Sequence, residues 1–393
     1  MSTKRRFFVN GRVVTPEEII KPGYISTSEG IIEEVGAGTP TDLHGEVVDL
    51  DGDYIVPGYI DIHIHGAGGA DMRDGNMDSI YTIAKIMCKA GVTSFVPTLG
   101  CAPPDVIVKN IDLIVEAMKG GTPGAQILGV NLEGPYISPG SAGSQPPAYI
   151  RNPNPQEYMG WLERTPPGFI KLAIIAPELL RSEDFIKTMT EAGVVMGVGH
   201  SMASYEQVEA AVAYGLSHSV HTFNGDEVGI RKQKPGVVGA SLNIPEITCE
   251  LIADGHHVHR ANMELLYKLK GPDRVILVSD GGMPMGLGDG IYTQRDGRKV
   301  VVEGGRTSLE GSTSGNLAGS VTSLDKGVKN MVDLLSIDLV HAVRMASTNP
   351  ARRIGVSERK GSIAKGMDAD FAILSSDFSV RTTVVSGEII GDL

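Results

Sequence analysis

Eight short apolar runs constrain the fold of this chain more than any other feature; they lie near residues 58 to 65, 93 to 99, 127 to 133, 170 to 177, 194 to 200, 218 to 223, 248 to 254 and 275 to 280. Helix-length segments separate them, and eight strand–helix repeats are what a closed (β/α)8 TIM-type barrel requires. A doubly wound open sheet is the competing arrangement. It lacks the first-turn Gly-x-Gly-x-x-Gly and the acidic residue that should follow it.

A barrel takes roughly 250 residues, and the chain has 393. The remainder sits at the two ends. Residues 7 to 14, 23 to 26 and 30 to 35 read as short strands around Asn10-Gly11, Pro22-Gly23 and Glu29-Gly30, taken as turns, and residues 370 to 374, 380 to 385 and 388 to 390 repeat the style. The expectation is one small β-sandwich domain built from both termini, residues 1–56 with 352–393, beside a barrel at 57–351. Gly66 to Gly69 reads as a flexible loop rather than a phosphate cradle.

Polar residues cluster where the apolar runs stop. His63 and His65 are two apart on a strand, so they share a face and can reach one metal ion. Glu133, His200, His221, Asp254, His256, His257 and Asp280 close other runs. In a barrel the C-terminal strand ends carry the chemistry, so these groups are expected at one mouth.

Composition excludes several functions. With 35 Lys and Arg against 47 Asp and Glu, the net charge of −12 argues against a general nucleic-acid or anionic-membrane surface. Three scattered cysteines, Cys88, Cys101 and Cys249, supply neither a disulfide framework nor a thiolate zinc site. The basic start lacks a secretory apolar core, and no run approaches the ~18 apolar residues of a spanning helix. A soluble cytoplasmic enzyme is expected.

In their order, several segments resemble the amidohydrolase superfamily and, within it, the N-acetylglucosamine-6-phosphate deacetylases. They are Pro57-Gly58-Tyr-Ile-Asp61-Ile-His63-Ile-His65-Gly66, Leu132-Glu133-Gly134-Pro135, Gly199-His200-Ser201, His221-Thr-Phe-Asn224, Ile252-Ala-Asp254-Gly-His-His257, Ser279-Asp280 and Leu317-Ala-Gly319-Ser320. Ser347-Thr-Asn349-Pro350-Ala351 and Lys360-Gly361-Ser362-Ile-Ala-Lys365-Gly366 look like the superfamily's return to its β domain. The resemblance implies that Glu133, His200 and His221 hold a principal metal and that His63 and His65 hold a second. Zn²⁺ suits nitrogen and carboxylate ligands, with Fe²⁺, Co²⁺ or Mn²⁺ as alternatives. Gln145 stands where single-metal relatives place a histidine, which agrees with two metals per subunit.

By the same resemblance, Asp280 takes a proton from the attacking water and passes it to the departing amine. Its competing reading is a helix N-cap. His257 is expected at the sugar or the developing oxyanion, with Gln145, Asn224, Gly225, Arg231, Lys232, Ala318 and Gly319 around the substrate. Asp61 and Asp254 are expected to orient histidines, and His256 and His259 to be structural or exposed. The expected reaction is removal of the acetyl group from N-acetylglucosamine 6-phosphate by a homodimer.

The chain departs from the family in two segments, one of them Ser279-Asp280-Gly281-Gly282-Met283, which keeps the expected base but replaces the usual Thr-Asp-Ala. Relatives carry Asn-Ala and then Arg-Glu-Pro-Gly, whose arginine grips phosphate; here the sequence is Asn224-Gly225-Asp226-Glu227 and then Arg231-Lys232-Gln233-Lys234-Pro235-Gly236. The alternatives are another N-acyl sugar (N-acetylgalactosamine 6-phosphate or an unphosphorylated one), a cyclic amidohydrolase, or a non-catalytic barrel homologue. The cyclic class commonly bridges its metals with a lysine, and strand four ends in Ala176-Pro177-Glu178.

Overall fold

The computed structural model describes residues 5–225, 229–311 and 317–391. Eight parallel strands follow one another around the barrel: Tyr59–Ile64, Val92–Leu99, Val130–Leu132, Ile170–Ile175, Val195–Val198, Leu216–Ser219, Thr248–Leu251 and Val275–Leu277. Each hydrogen-bonds to the next, as in Asn131 opposite Thr98 and Glu250 opposite Ile276. A parallel bridge between Ile64 and Gly281 brings the eighth strand back to the first, where Asp280 N donates to His63 O at 2.9 Å.

Local sequence explains the helices between them. Ser204 accepts from Gln207 N while the Gln207 side chain returns to Ser204 N, a capping box that starts Tyr205–Val212. Pro104 occupies the first turn of Pro104–Gly120, and Ile107, Ile111 and Ile114 form the buried stripe of that helix. These stripes pack on the strands in one continuous apolar core. A second cluster joins Ile60 and Ile62 to Val96, Leu172, Ile252, Ile276 and Val278, with Ala351, Ile354 and the half-buried Val356 packed against them.

The termini do build one sheet. Its order is Glu388–Ile390, Val380–Val385, Phe371–Leu374, Tyr54–Pro57, Arg6–Val14, Ile19–Ser28 and Ile31–Ala37, with Glu46–Asp49 also paired to Arg6–Val14. It encloses its own core, in which Phe8 and Phe371 meet edge to face at 5.0 Å. At the junction, Gly58 passes so close to Thr93 that a Cβ would lie 2.2 Å from its hydroxyl.

Two turn expectations need correction. Asn10-Gly11 lies inside the first terminal strand, where the register slips between Phe8 and Gly11, and Pro22-Gly23 lies inside the second. The hairpin turn is at Glu29-Gly30, both with positive φ. Gly66 to Gly69 also differs from a loose loop, because Gly66–Ala67 pairs with Ala70–Asp71. After the eighth barrel strand comes a small antiparallel sheet, Gly290–Thr293, Lys299–Glu303 and Arg306–Leu309. Among the described residues no helix is long and apolar enough to cross a membrane.

Candidate active site

Strand ends supply the site, and several of its residues adopt a backbone that ordinary residues avoid. His200, His221 and Asp280 have φ of 48°, 27° and 46°. Non-glycine residues in this region are strained and concentrate at functional sites. Asp280 does not cap a helix; Gly281, the next residue, bridges to both Ile64 and Ser320.

Four imidazoles converge on the buried Glu133 carboxylate. His221 Nε2 lies 2.8 Å and His200 Nε2 3.2 Å from Oε1, His63 Nε2 3.3 Å from Oε1, and His65 Nε2 3.0 Å from Oε2. Asp280 Oδ1 is 3.5 Å from His65 Nε2 and 3.6 Å from His63 Nε2. Gln145 steadies Glu133: its Oε1 accepts from Cys101 N at 2.9 Å, which turns its amide to donate to Glu133 Oε2 at 2.7 Å.

The opposite ring edges decide the tautomers. His200 Nδ1 is 2.9 Å from Ser141 O and His221 Nδ1 is 3.2 Å from Asn224 O. A carbonyl only accepts, so each Nδ1 carries its hydrogen. His63 Nδ1 likewise donates to Glu250 Oε2 at 2.8 Å. In neutral imidazoles the Nε2 lone pairs then face carboxylate lone pairs, and His63 Nε2 is buried with no hydrogen-bond partner. Acceptors facing acceptors at about 3 Å need cations between them or extra protons, and four imidazoliums packed together would repel one another. The donor set therefore fits metal binding. Two groups share Glu133, namely His63, His65 and Glu133, and Glu133, His200 and His221, with ligand atoms in each within 4.8 Å of one another.

Electrostatics agree with this geometry. Burial opposes ionisation of Glu133, but His63, His65 and His200 hold it well below the usual carboxylate range. Burial pulls His63 down, whereas Glu250 and Glu133 outweigh it and raise it well above an ordinary imidazole. Buried Asp61 is pushed up to about 7 by desolvation, although it accepts from His63 N at 3.2 Å and Ser279 N at 3.3 Å.

The cluster floors a cavity of about 330 Å³, within the range of small-molecule sites. His65, Glu133, Gln145, His200, His221, Asn224, Gly225, His257, Asp280 and Gly319, all anticipated from sequence, line it. Gly225 has φ 67°, and a Cβ there would lie 3.0 Å from His200 Nδ1 and 3.2 Å from His221 Cε1. His257 is oriented by Asp254, whose Oδ2 accepts from Nδ1 at 2.7 Å. His256 is exposed at the mouth, and His259 caps the helix Arg260–Lys270. Arg231 and Lys232 lie exposed on a small Arg231–Lys234 bridge away from the cavity lining. Ala318 is buried against Val300 and Val302. Asp226 and Glu227 of the divergent segment lie outside the described residues.

A family model for the amidohydrolase family matches residues 54–390. The chain belongs to the amidohydrolase family. An N-acetylglucosamine-6-phosphate deacetylase from Vibrio furnissii is 36% identical over 349 residues, covering 89% of this amidohydrolase and 86% of the relative. An N-acetylgalactosamine-6-phosphate deacetylase from Escherichia coli O157:H7 is 33% identical, covering 96% and 97%. Among solved structures, a variant of the N-acetyl-D-glucosamine-6-phosphate deacetylase of Mycobacterium smegmatis, in complex with N-acetyl-D-glucosamine-6-phosphate, superposes with a TM-score of 0.91 at 28% identity and full coverage of both chains.

Three residues of this amidohydrolase site escaped the sequence reading, one being Ser141, whose carbonyl meets His200 Nδ1 at the cavity wall. Arg306, on the small antiparallel sheet, lines the cavity. Glu250, wholly buried on the seventh strand, bonds to His63 and His218. A charged residue inside the otherwise apolar run Cys249-Glu250-Leu251-Ile252 was the available signal for Glu250. Arg306 carried none, because its approach to the site depends on how the sheet folds over the mouth.

Proposed function

We propose that this amidohydrolase hydrolyses the acetamide of N-acetylglucosamine 6-phosphate to glucosamine 6-phosphate and acetate. The observation that carries the reading is the set of four imidazoles around Glu133, their lone pairs turned inward, beneath a cavity that Asp280 also lines. Glu133, His200 and His221 would hold one divalent metal, and His63, His65 and Glu133 a second. Zn²⁺ suits the ligands, with Fe²⁺, Co²⁺ and Mn²⁺ also compatible. Such a metal, when bound, lowers the pKa of a water to about 7 and polarises the amide carbonyl.

Asp280 takes the proton of the attacking water as the new C–O bond forms, and delivers it to the amide nitrogen as the C–N bond breaks. The amine then leaves neutral. His257, its Nδ1–H engaged by Asp254, presents Nε2 to the sugar or the developing oxyanion. Asn224 and Gly225 border the sugar, with Gln145 holding Glu133 in place.

Arg306 is assigned to the phosphate in place of Arg231 and Lys232. It is the one Lys or Arg among the described residues lining the cavity, and a guanidinium can grip a phosphate with two hydrogen bonds. Arg306→Ala is expected to raise KM for the phosphorylated sugar about 10- to 100-fold, the equivalent of one charge-assisted hydrogen bond, with little change in kcat. Equal activity of R306A and wild type on that sugar would remove the assignment.

The likeness to the Escherichia coli protein supports a second reading, in which the sugar is N-acetylgalactosamine 6-phosphate. A cytoplasmic homodimer completes the proposal. Light scattering of the purified protein tests the dimer.

A further inference from the structure

Behind the ligands lies a second buried layer centred on Glu250, which is fully buried. Its Oε1 is 3.0 Å from His218 Nε2, and its Oε2 lies 2.8 Å from His63 Nδ1 and 3.0 Å from His221 N. An ionised carboxylate only accepts, so all three partners donate. His218 Nε2–H then leaves Nδ1 to accept from Thr248 Oγ1, 2.7 Å away, which settles the tautomer of the outer histidine as well. Burial lowers His218 below an ordinary imidazole.

We infer that Glu250 is the positioning residue that assembles the two-metal site, because one carboxylate fixes a ligand from each ligand group. Through His63 Nδ1 it turns the Nε2 lone pair toward Glu133. Through His221 N it holds the strained backbone, φ 27°, that aims His221 at the same carboxylate. A carboxylate behind a ligating histidine also raises the basicity of the ring, and removing such a partner typically weakens metal binding 10- to 100-fold. Nearby residues do not duplicate it. Asp61 accepts from the backbone N–H groups of His63 and Ser279 and does not reach the His63 ring, and Gln145 acts on Glu133.

The inference rests on the metal site proposed above, and its test separates the two. Glu250→Gln is nearly isosteric: the amide oxygen accepts from His63 and His221, and the amide NH2 donates to His218 after a tautomer change, so only the charge is lost. Wild type and E250Q are stripped, reloaded with Zn²⁺ and titrated against a chelator, with thermal unfolding of both apo proteins alongside. E250Q is expected to bind the metal of the His63–His65 pair about 10- to 100-fold more weakly, with unfolding midpoints of the apo proteins close together. Glu250→Asp, which restores the charge on a shorter stem, is expected to recover part of that affinity. E250Q binding two Zn²⁺ as tightly as wild type overturns the role of Glu250 alone. Wild type that binds no Zn²⁺ overturns the metal site and the inference together. Lower apo stability with unchanged metal affinity reduces Glu250 to a packing residue and equally contradicts the inference.

Discussion

At the scale of single residues, the chemistry depends on groups whose surroundings leave them few alternatives. Asp280 lies within 3.6 Å of the His63 and His65 imidazoles and is held in a left-handed backbone by neighbours that bridge two segments. Asp280→Asn keeps the shape and removes the proton acceptor. It is expected to lower kcat by 10²- to 10⁴-fold, the usual contribution of a general base, with metal content by elemental analysis unchanged; full turnover would exclude the role. The cysteines are the converse case. Burial pushes the thiols of Cys88 and Cys101 up to about 12 and that of Cys249 up to about 11, and the thiolate is the reactive form. Native protein at pH 8 is therefore expected to consume almost no Ellman's reagent, and denatured protein three equivalents, matching the three cysteines. Rapid native labelling would contradict this burial.

Among the elements, the loop after the third barrel strand and the helices beside it share an aromatic cluster. Trp161, the sole tryptophan, is 1% exposed on the helix Pro155–Arg164 and stacks on Tyr136 at 5.5 Å, while Phe185 meets Tyr136 edge-on at 5.0 Å. Trp161→Ala is expected to destabilise by about 3–5 kcal/mol, read as a lower denaturant midpoint by circular dichroism, and a shift under 1 kcal/mol would show that the cluster relaxes into the gap. This scale was also the most legible in sequence. All eight apolar runs became barrel strands, because parallel strands covered on both faces need continuous apolar stretches. The terminal strands were visible for the opposite reason, as short runs between turn residues. Asn10-Gly11 and Pro22-Gly23 misled because a bulge and a turn draw on the same residue types. The small sheet from Gly290 to Leu309 went unread, since half-exposed alternation resembles a loop when no core-facing run accompanies it. The histidines and Glu133 that cluster at the strand ends could be found from spacing and resemblance. Glu250 and Arg306 could not be found that way, because one bonds to a side chain 187 positions away and the other reaches the cavity only through the fold of an inserted sheet.

For the whole molecule, an acidic chain of net charge −12 handles an anionic substrate only if positive charge is concentrated at the site. In the proposed site, divalent ions held by the histidine–Glu133 cluster together with Arg306 would supply that concentration at the cavity. Activity on a phosphorylated sugar is accordingly expected to depend on metal and to weaken at high salt, which screens the exposed arginine more than the buried cluster. The most direct measurement is acetate release from N-acetylglucosamine 6-phosphate, N-acetylgalactosamine 6-phosphate and unphosphorylated N-acetylglucosamine, by metal-reconstituted protein and by the same protein held in chelator. The account predicts turnover of N-acetylglucosamine 6-phosphate ahead of the other two, abolished by the chelator and restored by Zn²⁺. No acetate from any of the three by metal-loaded protein, or equal release with and without metal, would contradict it.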